Sequence, residues 1–240
     1  MADESRVGIL CAPDHTVFAA VADTLRERGV VVTFYDPEAP LDRTTVADLD
    51  AIVAKKTRPA TFTTLRLAAD CGVPAWNDFV AYCIFAFRLV GLHALETVGF
   101  RTPPVSFTPP EGEYVAKTLR SWEGVPVRNG EGDFYQPLLP ADPVDHKYYC
   151  VDDGEQYHVR VLEAASKLGG EKRVLGRRDP DPDLAAKVRE LARRTGAHGV
   201  GVDVISVDGE PYAVDVNPAP SFRETGLEAP IADSIRSLLR

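Results

Sequence analysis

The chain has 240 residues, which is enough for one large domain or two small ones with an ample core. Its composition, 45% hydrophobic and 26% charged, is typical of a globular protein. A net charge of -9 argues against nucleic-acid or anionic-membrane partners, because both attract basic surfaces. We find neither an apolar run of membrane-spanning length nor a signal-peptide pattern, and the four cysteines have no metal or redox spacing. We therefore expect a cytoplasmic protein.

The first part of the chain alternates between strand and helix patterns. Buried-type strands are predicted at 6–11, 30–35, 50–55 and 73–76, and amphipathic helices at 18–28 and 61–71. A long helix is predicted at 78–99. Strands that alternate with helices indicate a small parallel α/β sheet.

A hairpin is predicted near the C-terminal end, over residues 199–217. Two β-branched runs flank Asp208-Gly209, which is a strong turn signal. Asp203, Asp215 and Asn217 lie inside these runs, where strands seldom carry such residues. Unpaired buried carboxylates are costly, and hard oxygen ligands suit Mg²⁺ shared with a substrate phosphate. We therefore predict a metal site formed by these three side chains.

The length of the turn decides whether those ligands can meet. A two-residue turn at Asp208-Gly209 with a regular ladder would place Asp203 and Asp215 on opposite faces of the hairpin. A three-residue loop from Val207 to Gly209, with a bulge at the glycine, would place both on one face. The metal interpretation therefore predicts the odd-length turn.

Lysines mark two further candidate anion sites. Lys117 ends a predicted strand and precedes a loop that contains Gly124, Gly130 and Gly132, a combination that can bind phosphates. Lys55 and Lys56 end the third predicted strand, at the sheet edge where open α/β sheets bind ligands. Each could equally be an ordinary solvated lysine.

The metal segment carries a family resemblance. Asp203, then Asp215-Val216-Asn217 followed by Pro218-Ala-Pro220-Ser221, resembles the metal-binding end of the ATP-grasp superfamily. That superfamily includes carboxylate–amine ligases, such as glutathione synthetase and glutamate ligases, and the inositol polyphosphate kinases. The resemblance implies ATP and Mg²⁺ as cofactors. It also implies an α/β and α+β fold, with an N-terminal parallel α/β domain at 1–80 and an ATP-grasp domain at 81–240. Two antiparallel sheets of the latter would grip the nucleotide.

The resemblance implies roles for individual residues. Gln136, Pro137 and Leu138 match the segment that binds adenine, and Arg88 matches a cation that reaches the nucleotide phosphates. Lys147 matches a basic position of the active cleft, with both ATP-binding and catalytic roles. The arginine that steadies the transferring phosphoryl group has four candidates, of which we favour Arg160 over Lys167, Lys172 and Arg173.

Two features depart from the family pattern. Only 19 positions separate Lys117 from Gln136, so the lid over the nucleotide, at about 105–140, is predicted to lack its usual helix. Phe87 stands where an Asp often precedes the phosphate-binding cation. Ser221 and Arg223 replace the Pro-Gly continuation common in ligases, and with Lys55 and Lys56, and His15 nearby, they form the predicted acceptor wall.

Three functions are compatible with these residues. The first is an ATP-grasp ligase that activates a small anionic acceptor through an acyl phosphate. The alternative is an ATP-dependent kinase of the inositol or polyol type, and the third is a non-catalytic nucleotide-binding module. A ligase must also bind an amine. A short chain with a trimmed lid has few residues from which to form that second pocket, which keeps the kinase a close alternative.

Overall fold

The computed structural model describes residues 4–165 and 173–239, and its first sheet is parallel. Strands β1 (Arg6–Leu10), β2 (Val31–Tyr35), β3 (Ala51–Ala54) and β4 (Ala75–Trp76) lie in the order β2-β1-β3-β4. Helices α1 (Thr16–Glu27), α2 (Arg43–Ala47) and α3 (Pro59–Cys71) connect them. The predicted parallel α/β unit is confirmed. Helix α2 was not predicted, because five residues are too few to show helical periodicity.

The single helix predicted at 78–99 is two helices, α4 (Phe79–Ala86) and α5 (Arg88–Thr97). Phe87 between them is extended, with φ -93° and ψ 101°. The Ser121 amide donates to the Ala86 carbonyl (2.9 Å), and the Arg88 amide donates to the Leu119 carbonyl (2.9 Å). The helix can break here because a distant loop satisfies the backbone groups that the break frees.

A small antiparallel sheet, the lid sheet, follows. Its strands are β5 (Tyr114–Lys117), β6 (Val127–Arg128) and β7 (Phe134–Pro137), in the order β6-β5-β7. No helix occurs between β5 and β7, a stretch that the structure describes throughout. The shortened lid is confirmed.

The largest sheet is antiparallel and has five strands. These are β8 (Val144–Asp152), β9 (Tyr157–Ala165), β10 (Val174–Arg178), β11 (Gly199–Val207) and β12 (Glu210–Asn217), in the order β10-β9-β8-β11-β12. Helix α6 (Pro182–Thr195) precedes β11, and α7 (Glu228–Ser237) ends the fold. Strand β10, which carries Arg177 and Arg178, forms the edge of this sheet beside β9.

The two faces of this sheet have different roles. Val202, Val204 and Val216 turn to one side, where a core forms with α4, α5 and α6. On the other side Tyr149 and Leu162 join a core with α1 and α7. The C-terminal helix thus returns to the N-terminal unit, and the rest of this second face stays open. In the described part of the chain, no helix is both long and apolar enough to cross a membrane.

Asn77 joins the N-terminal sheet to both strands of the C-terminal hairpin. Its Nδ2 donates to the carbonyls of Gly199 (2.6 Å) and Pro218 (2.9 Å), and its Oδ1 accepts from the Gly199 amide (3.0 Å). The side chain is fully buried. Three interior hydrogen bonds therefore depend on one amide.

We expect Asn77→Ala to lower the free energy of unfolding by about 2–4 kcal/mol, because it leaves a buried N–H and two carbonyls unsatisfied. Urea denaturation at neutral pH measures the change. The control is Asn129→Gly, since Asn129 has φ 50° and makes one exposed hydrogen bond to the Tyr114 amide. We expect that control to change the free energy by about 0.5 kcal/mol or less. Equal losses in the two variants would contradict the role given to Asn77.

Candidate active site

The hairpin of β11 and β12 has a two-residue turn. Val207 lies opposite Glu210, and both turn residues have positive φ, 51° at Asp208 and 81° at Gly209. The predicted three-residue loop is wrong. Asp-Gly favours the tight turn because both positions then adopt left-handed backbone conformations, which suit these two residues.

A β-bulge, and not an odd-length turn, brings the predicted ligands onto one face of the hairpin. Val204 pairs with Ala213, but Asp203 pairs with Asp215, so Val214 is an extra residue in β12. Asn217 then lies opposite Gly201. Directly opposed residues of an antiparallel pair share a face. Asp203, Asp215 and Asn217 therefore lie on one face, as predicted, for a different reason.

Side chains from distant segments hold this part of the backbone. The Lys117 Nζ donates to the carbonyl of the bulge residue Val214 (2.7 Å). The Lys55 Nζ donates to the carbonyl of Ala219 (2.9 Å), whose amide donates to the Asn217 Oδ1 (2.8 Å). Both lysines are buried. The three predicted ligands are thus carried by a segment fixed from outside its own hairpin.

Lys147 places a positive charge beside Asp203. It lies opposite Asp203 on the neighbouring strand β8, and its Nζ is 2.8 Å from the Asp203 Oδ1. Lys147 is buried, whereas the Asp203 side chain is 27% exposed. Two opposed carboxylates with an amide oxygen on the same face are hard donors, so this row of side chains is suited to hold a divalent cation such as Mg²⁺.

These residues line a cavity of about 370 Å³. One wall is the hairpin of β11 and β12, which we call the metal hairpin. The others are β8, the residues that follow the C-terminal end of β3, and a loop of the lid. Five cationic residues and two carboxylates line it, so it attracts anions in an otherwise acidic chain. Eight of the predicted site residues meet here: Lys55, Lys56, Arg88, Lys147, Asp203, Asp215, Asn217 and Ser221.

Other predicted residues lie outside that cavity. Lys117 contacts strand β12 from outside the cavity, through the hydrogen bond to the Val214 carbonyl. The buried Gln136 donates from Nε2 to the Pro103 carbonyl (2.7 Å), and Pro137 and Leu138 continue from it at the end of the lid sheet. Arg223 is exposed and does not line the cavity.

The candidates for the phosphoryl-steadying cation are dispersed. Arg160 pairs with Tyr149, which lines the cavity, but Arg160 is exposed and its Nη1 donates to the Val159 carbonyl (2.9 Å). Lys167 and Lys172 lie outside the described residues, and Arg173 is exposed at the edge of that gap. The catalytic role of Arg160 stays a prediction.

Several residues of this region were not predicted from the sequence. Thr57, Arg58, Ser121 and Trp122 line the cavity. Asp145 is buried, and its Oδ1 has no hydrogen-bond partner among the described residues. Asp145 shares a strand face with Lys147, two residues on. Its sequence signal was available: an acidic residue within a β-strand, where Asp is seldom found.

His15 lies near Lys55 and Arg223, two residues of the predicted acceptor wall. It caps α1, where its Nδ1 accepts from the Phe18 amide (3.5 Å). Burial, followed by the charges of Lys55 and Arg223, lowers the pKa of His15 to about 4. His15 is therefore neutral at physiological pH.

Comparison with known proteins identifies the architecture. No family model matches the sequence, and no curated protein sequence matches it. Among solved structures, the ATP-grasp ligase PsnB complexed with minimal precursor has a TM-score of 0.72 at 17% identity, over 99% of each chain. A RimK domain ATP-grasp protein from Sphaerobacter thermophilus gives 0.73 at 17%, over 97% of this chain and 100% of that one. The chain has the ATP-grasp fold.

A third neighbour is the macrocyclase MdnC of Microcystis aeruginosa, solved with its precursor peptide MdnA. It has a TM-score of 0.71 at 12% identity, over 96% of this chain and 99% of that one. These likenesses confirm the fold that the metal segment implied. The ATP-grasp fold of this chain differs from the expectation in two local features, the bulge at Val214 and the break at Phe87.

We expect the pH dependence of stability to report the environment of His15. Unfolded His15 takes up a proton near pH 6.5, whereas folded His15 does so near pH 4. The unfolded state therefore binds more protons between these values, and stability falls as the pH falls. At pH 4.5 the loss from this group is about 2 kcal/mol relative to pH 7.5.

Urea denaturation of the wild type and of His15→Asn at both pH values measures this contribution, because Asn keeps a helix cap without the titration. The wild type should lose more stability on acidification than the variant. Parallel losses in the two proteins would show that His15 titrates normally.

Proposed function

We propose that this protein is a Mg²⁺-dependent ligase that uses ATP to activate a carboxylate for attack by an amine. One observation carries the proposal: Asp203 lies directly opposite Asp215, beside Lys147, in a cavity whose other wall is cationic. Oxygen ligands and cations in one cavity are what a metal-bound triphosphate requires. PsnB, which shares the fold, has been solved with Mg and ADP.

The metal hairpin fits Mg²⁺. Two carboxylates and the Asn217 amide are hard oxygen donors on one face, and Mg²⁺ usually takes few protein ligands and completes its shell with phosphates and water. When bound, the metal would offset the negative charge of the nucleotide phosphates. The set contains only two acidic side chains, so Mg²⁺ held here would depend on the nucleotide for further oxygen ligands.

The nucleotide would extend from the metal hairpin toward the lid. Lys117 and Lys147 are the proposed phosphate-binding cations. Arg88 instead donates to the backbone carbonyls of Thr118 and Gly124 in the lid. Gln136, Pro137 and Leu138 are the proposed contacts to adenine. The unpaired Oδ1 of buried Asp145 suits a hydroxyl donor of the kind a ribose presents. We retain Arg160 as the proposed cation for the transferring phosphoryl group.

The chemistry consists of two transfers. An oxygen of the acceptor carboxylate attacks the γ-phosphorus, the bond to the β-phosphate oxygen breaks, and ADP leaves. An amine nitrogen then attacks the acyl carbon, phosphate leaves, and the nitrogen loses a proton. Lys147 lies where it can offset charge that develops on the transferring phosphoryl oxygens, and the other residues act mainly by positioning.

We infer that the carboxylate belongs to an acidic peptide rather than to a free small molecule. Three neighbours of the same fold have been solved with peptides: PsnB and MdnC with precursor peptides, and a ligase from Chryseobacterium gregarium with a leader and a core peptide. In this chain Lys56 is exposed at the cationic wall, next to the half-buried Thr57 and Arg58. An exposed cation at the cavity wall suits an acidic side chain on a longer chain.

Incubation with ATP, Mg²⁺ and separate pools of acidic peptides, amino acids and polyols tests the proposal. ADP together with a peptide lighter by one water supports the peptide ligase. ADP with an amide of a free amino acid would replace the peptide by a small acceptor. A phosphorylated polyol would identify a kinase, and the absence of ADP in every pool would leave a binding module.

Asp215→Asn should reduce Mg²⁺-dependent ATP turnover by at least about a hundredfold, because it removes a metal ligand in the transition state. Its matched control is Asp208→Asn, the same chemical change at the turn of the same hairpin, where φ is 51° and Asn is tolerated. The control should turn over ATP within about twofold of the wild type. Unchanged turnover in Asp215→Asn would remove Asp215 from the ligand set.

Lys56→Glu should raise the KM for the acidic peptide by about tenfold or more and leave the KM for ATP within about twofold, because the reversed charge repels the acceptor only. Arg66→Glu is the control, since Arg66 is exposed on α3, pairs with Asp70, and does not line the cavity. Steady-state kinetics with each substrate varied give both values. An equal rise in the two KM values would place the acceptor elsewhere.

A further inference from the structure

The loop of residues 118–124, which we call the lid loop, is held by the side chain of Arg88. The Arg88 Nη1 donates to the Thr118 carbonyl (2.9 Å), to the Thr118 Oγ1 (2.5 Å) and to the Arg120 carbonyl (3.4 Å). Its Nη2 donates to the Gly124 carbonyl (2.8 Å). One guanidinium thus contacts the beginning, the middle and the end of the loop.

Backbone contacts attach the same loop to the break between α4 and α5. The Arg88 amide donates to Leu119, and the Ser121 amide donates to Ala86, so Phe87 and Arg120 pair as a short antiparallel bridge. The lid loop therefore continues the hydrogen bonding that the helix break interrupts. These bonds link segments more than thirty residues apart.

Aromatic packing closes the other side of the loop. The Trp122 ring lies 4.7 Å from the Phe62 ring and 5.6 Å from the Phe87 ring, measured between centroids. Phe62 belongs to α3 of the N-terminal unit. Such pairs add about 0.5–1.5 kcal/mol each beyond simple burial. Phe87, which departs from the family pattern, thus serves as the packing partner of Trp122.

The chemistry of Arg88 suits a side chain that holds the lid loop in place, a role that we call the clamp. Arg88 is only 5% exposed, and its acceptors are carbonyl and hydroxyl oxygens, with no carboxylate among those that the structure describes. A planar guanidinium can reach several carbonyls at fixed angles, which a lysine ammonium cannot. The clamp therefore requires arginine specifically.

The clamp fixes a hydrogen-bond donor in the cavity wall. Ser121 and Trp122 line the cavity beside Arg88. The Ser121 Oγ is buried and has no hydrogen-bond partner among the described residues, and the same holds for the Arg88 Nε. A buried hydroxyl without a partner is costly, which points to a ligand oxygen as its acceptor.

We propose that Arg88 is a positioning residue that keeps the lid loop docked before any ligand binds, and that the docked loop presents the Ser121 Oγ to a terminal phosphate oxygen of the nucleotide. The Ser121 part rests on the proposed ATP-dependent function. The Arg88 part does not, because it concerns the loop alone.

Hydrogen exchange of the ligand-free protein tests the clamp. In the wild type the Ser121 amide should exchange at least about a hundredfold more slowly than in an unstructured peptide, because the bond to Ala86 must open first. Arg88→Lys should exchange about tenfold faster at Ser121 despite its retained charge, and Arg128→Lys, on the exposed strand β6 of the lid sheet, should match the wild type. Trp122→Leu removes the aromatic contacts of the loop and should also speed exchange at Ser121. This second variant keeps the proposal testable if Arg88→Lys does not fold.

Two results would overturn the clamp. One is a Ser121 amide that exchanges freely in the wild type and becomes protected only when nucleotide is added. The other is an Arg88→Lys variant that exchanges like the wild type, which would leave Arg88 as an ordinary point charge.

Calorimetry with a non-hydrolysable ATP analogue and with AMP, both with Mg²⁺, tests Ser121. Ser121→Ala should weaken binding of the analogue about tenfold and leave AMP within about twofold, because only the analogue carries terminal phosphates. Ser106→Ala, a serine outside the cavity, is the control and should change neither affinity. Equal losses for both nucleotides, or none, overturn the Ser121 assignment. A wild type that binds neither nucleotide removes the ATP-dependent function itself, and the exchange data then decide the clamp separately.

Discussion

The pairing of Asp203 with Asp215 is the constraint on which the proposed chemistry depends. Side chains alternate between faces along a strand, so a two-residue turn with a regular ladder would send the two carboxylates to opposite sides. The extra residue Val214 shifts the ladder by one position between the turn and the carboxylates. Its carbonyl is also the acceptor for Lys117. A single bulge thus brings the two predicted ligands together and provides the contact between β12 and the lid sheet.

The surrounding structure stiffens that strand through backbone carbonyls. Lys55, Asn77 and Lys117 come from three separate parts of the first half of the chain, and each donates to the segment from Val214 to Ala219. Burial lowers the pKa of Lys55 to about 8, so its ammonium is still mostly protonated at neutral pH. The Phe18 ring, 5.9 Å from its Nζ, adds a favourable contact. Ligand geometry of this kind is set before a substrate arrives, which is what electrostatic catalysis requires.

Much of the fold was predictable because its signals are local. Alternating strands and helices gave the parallel sheet, Asp208-Gly209 gave the turn, and acidic residues within apolar strands gave the candidate ligands. The features that were missed depend on partners outside the segment in which they occur. The break at Phe87 needs the backbone of Leu119 and Ser121, and the Val214 bulge shows only in the pairing of β11 with β12. No periodicity within one segment contains that information. The shared face of Asp203 and Asp215 was therefore predicted correctly, but from a three-residue turn that the structure does not have.

The docked lid loop shows how a shortened lid can still bound the cavity. Ordering a mobile loop around a ligand consumes part of the binding free energy, because each residue loses conformational freedom. Here Arg88, Phe62 and Phe87 hold the loop from the protein side, through hydrogen bonds and aromatic contacts that need no ligand. The ordering free energy is then supplied by folding rather than by binding. Ligand discrimination in such a site rests on a preformed wall, so the shape and charge of the cavity, more than lid closure, select what enters it.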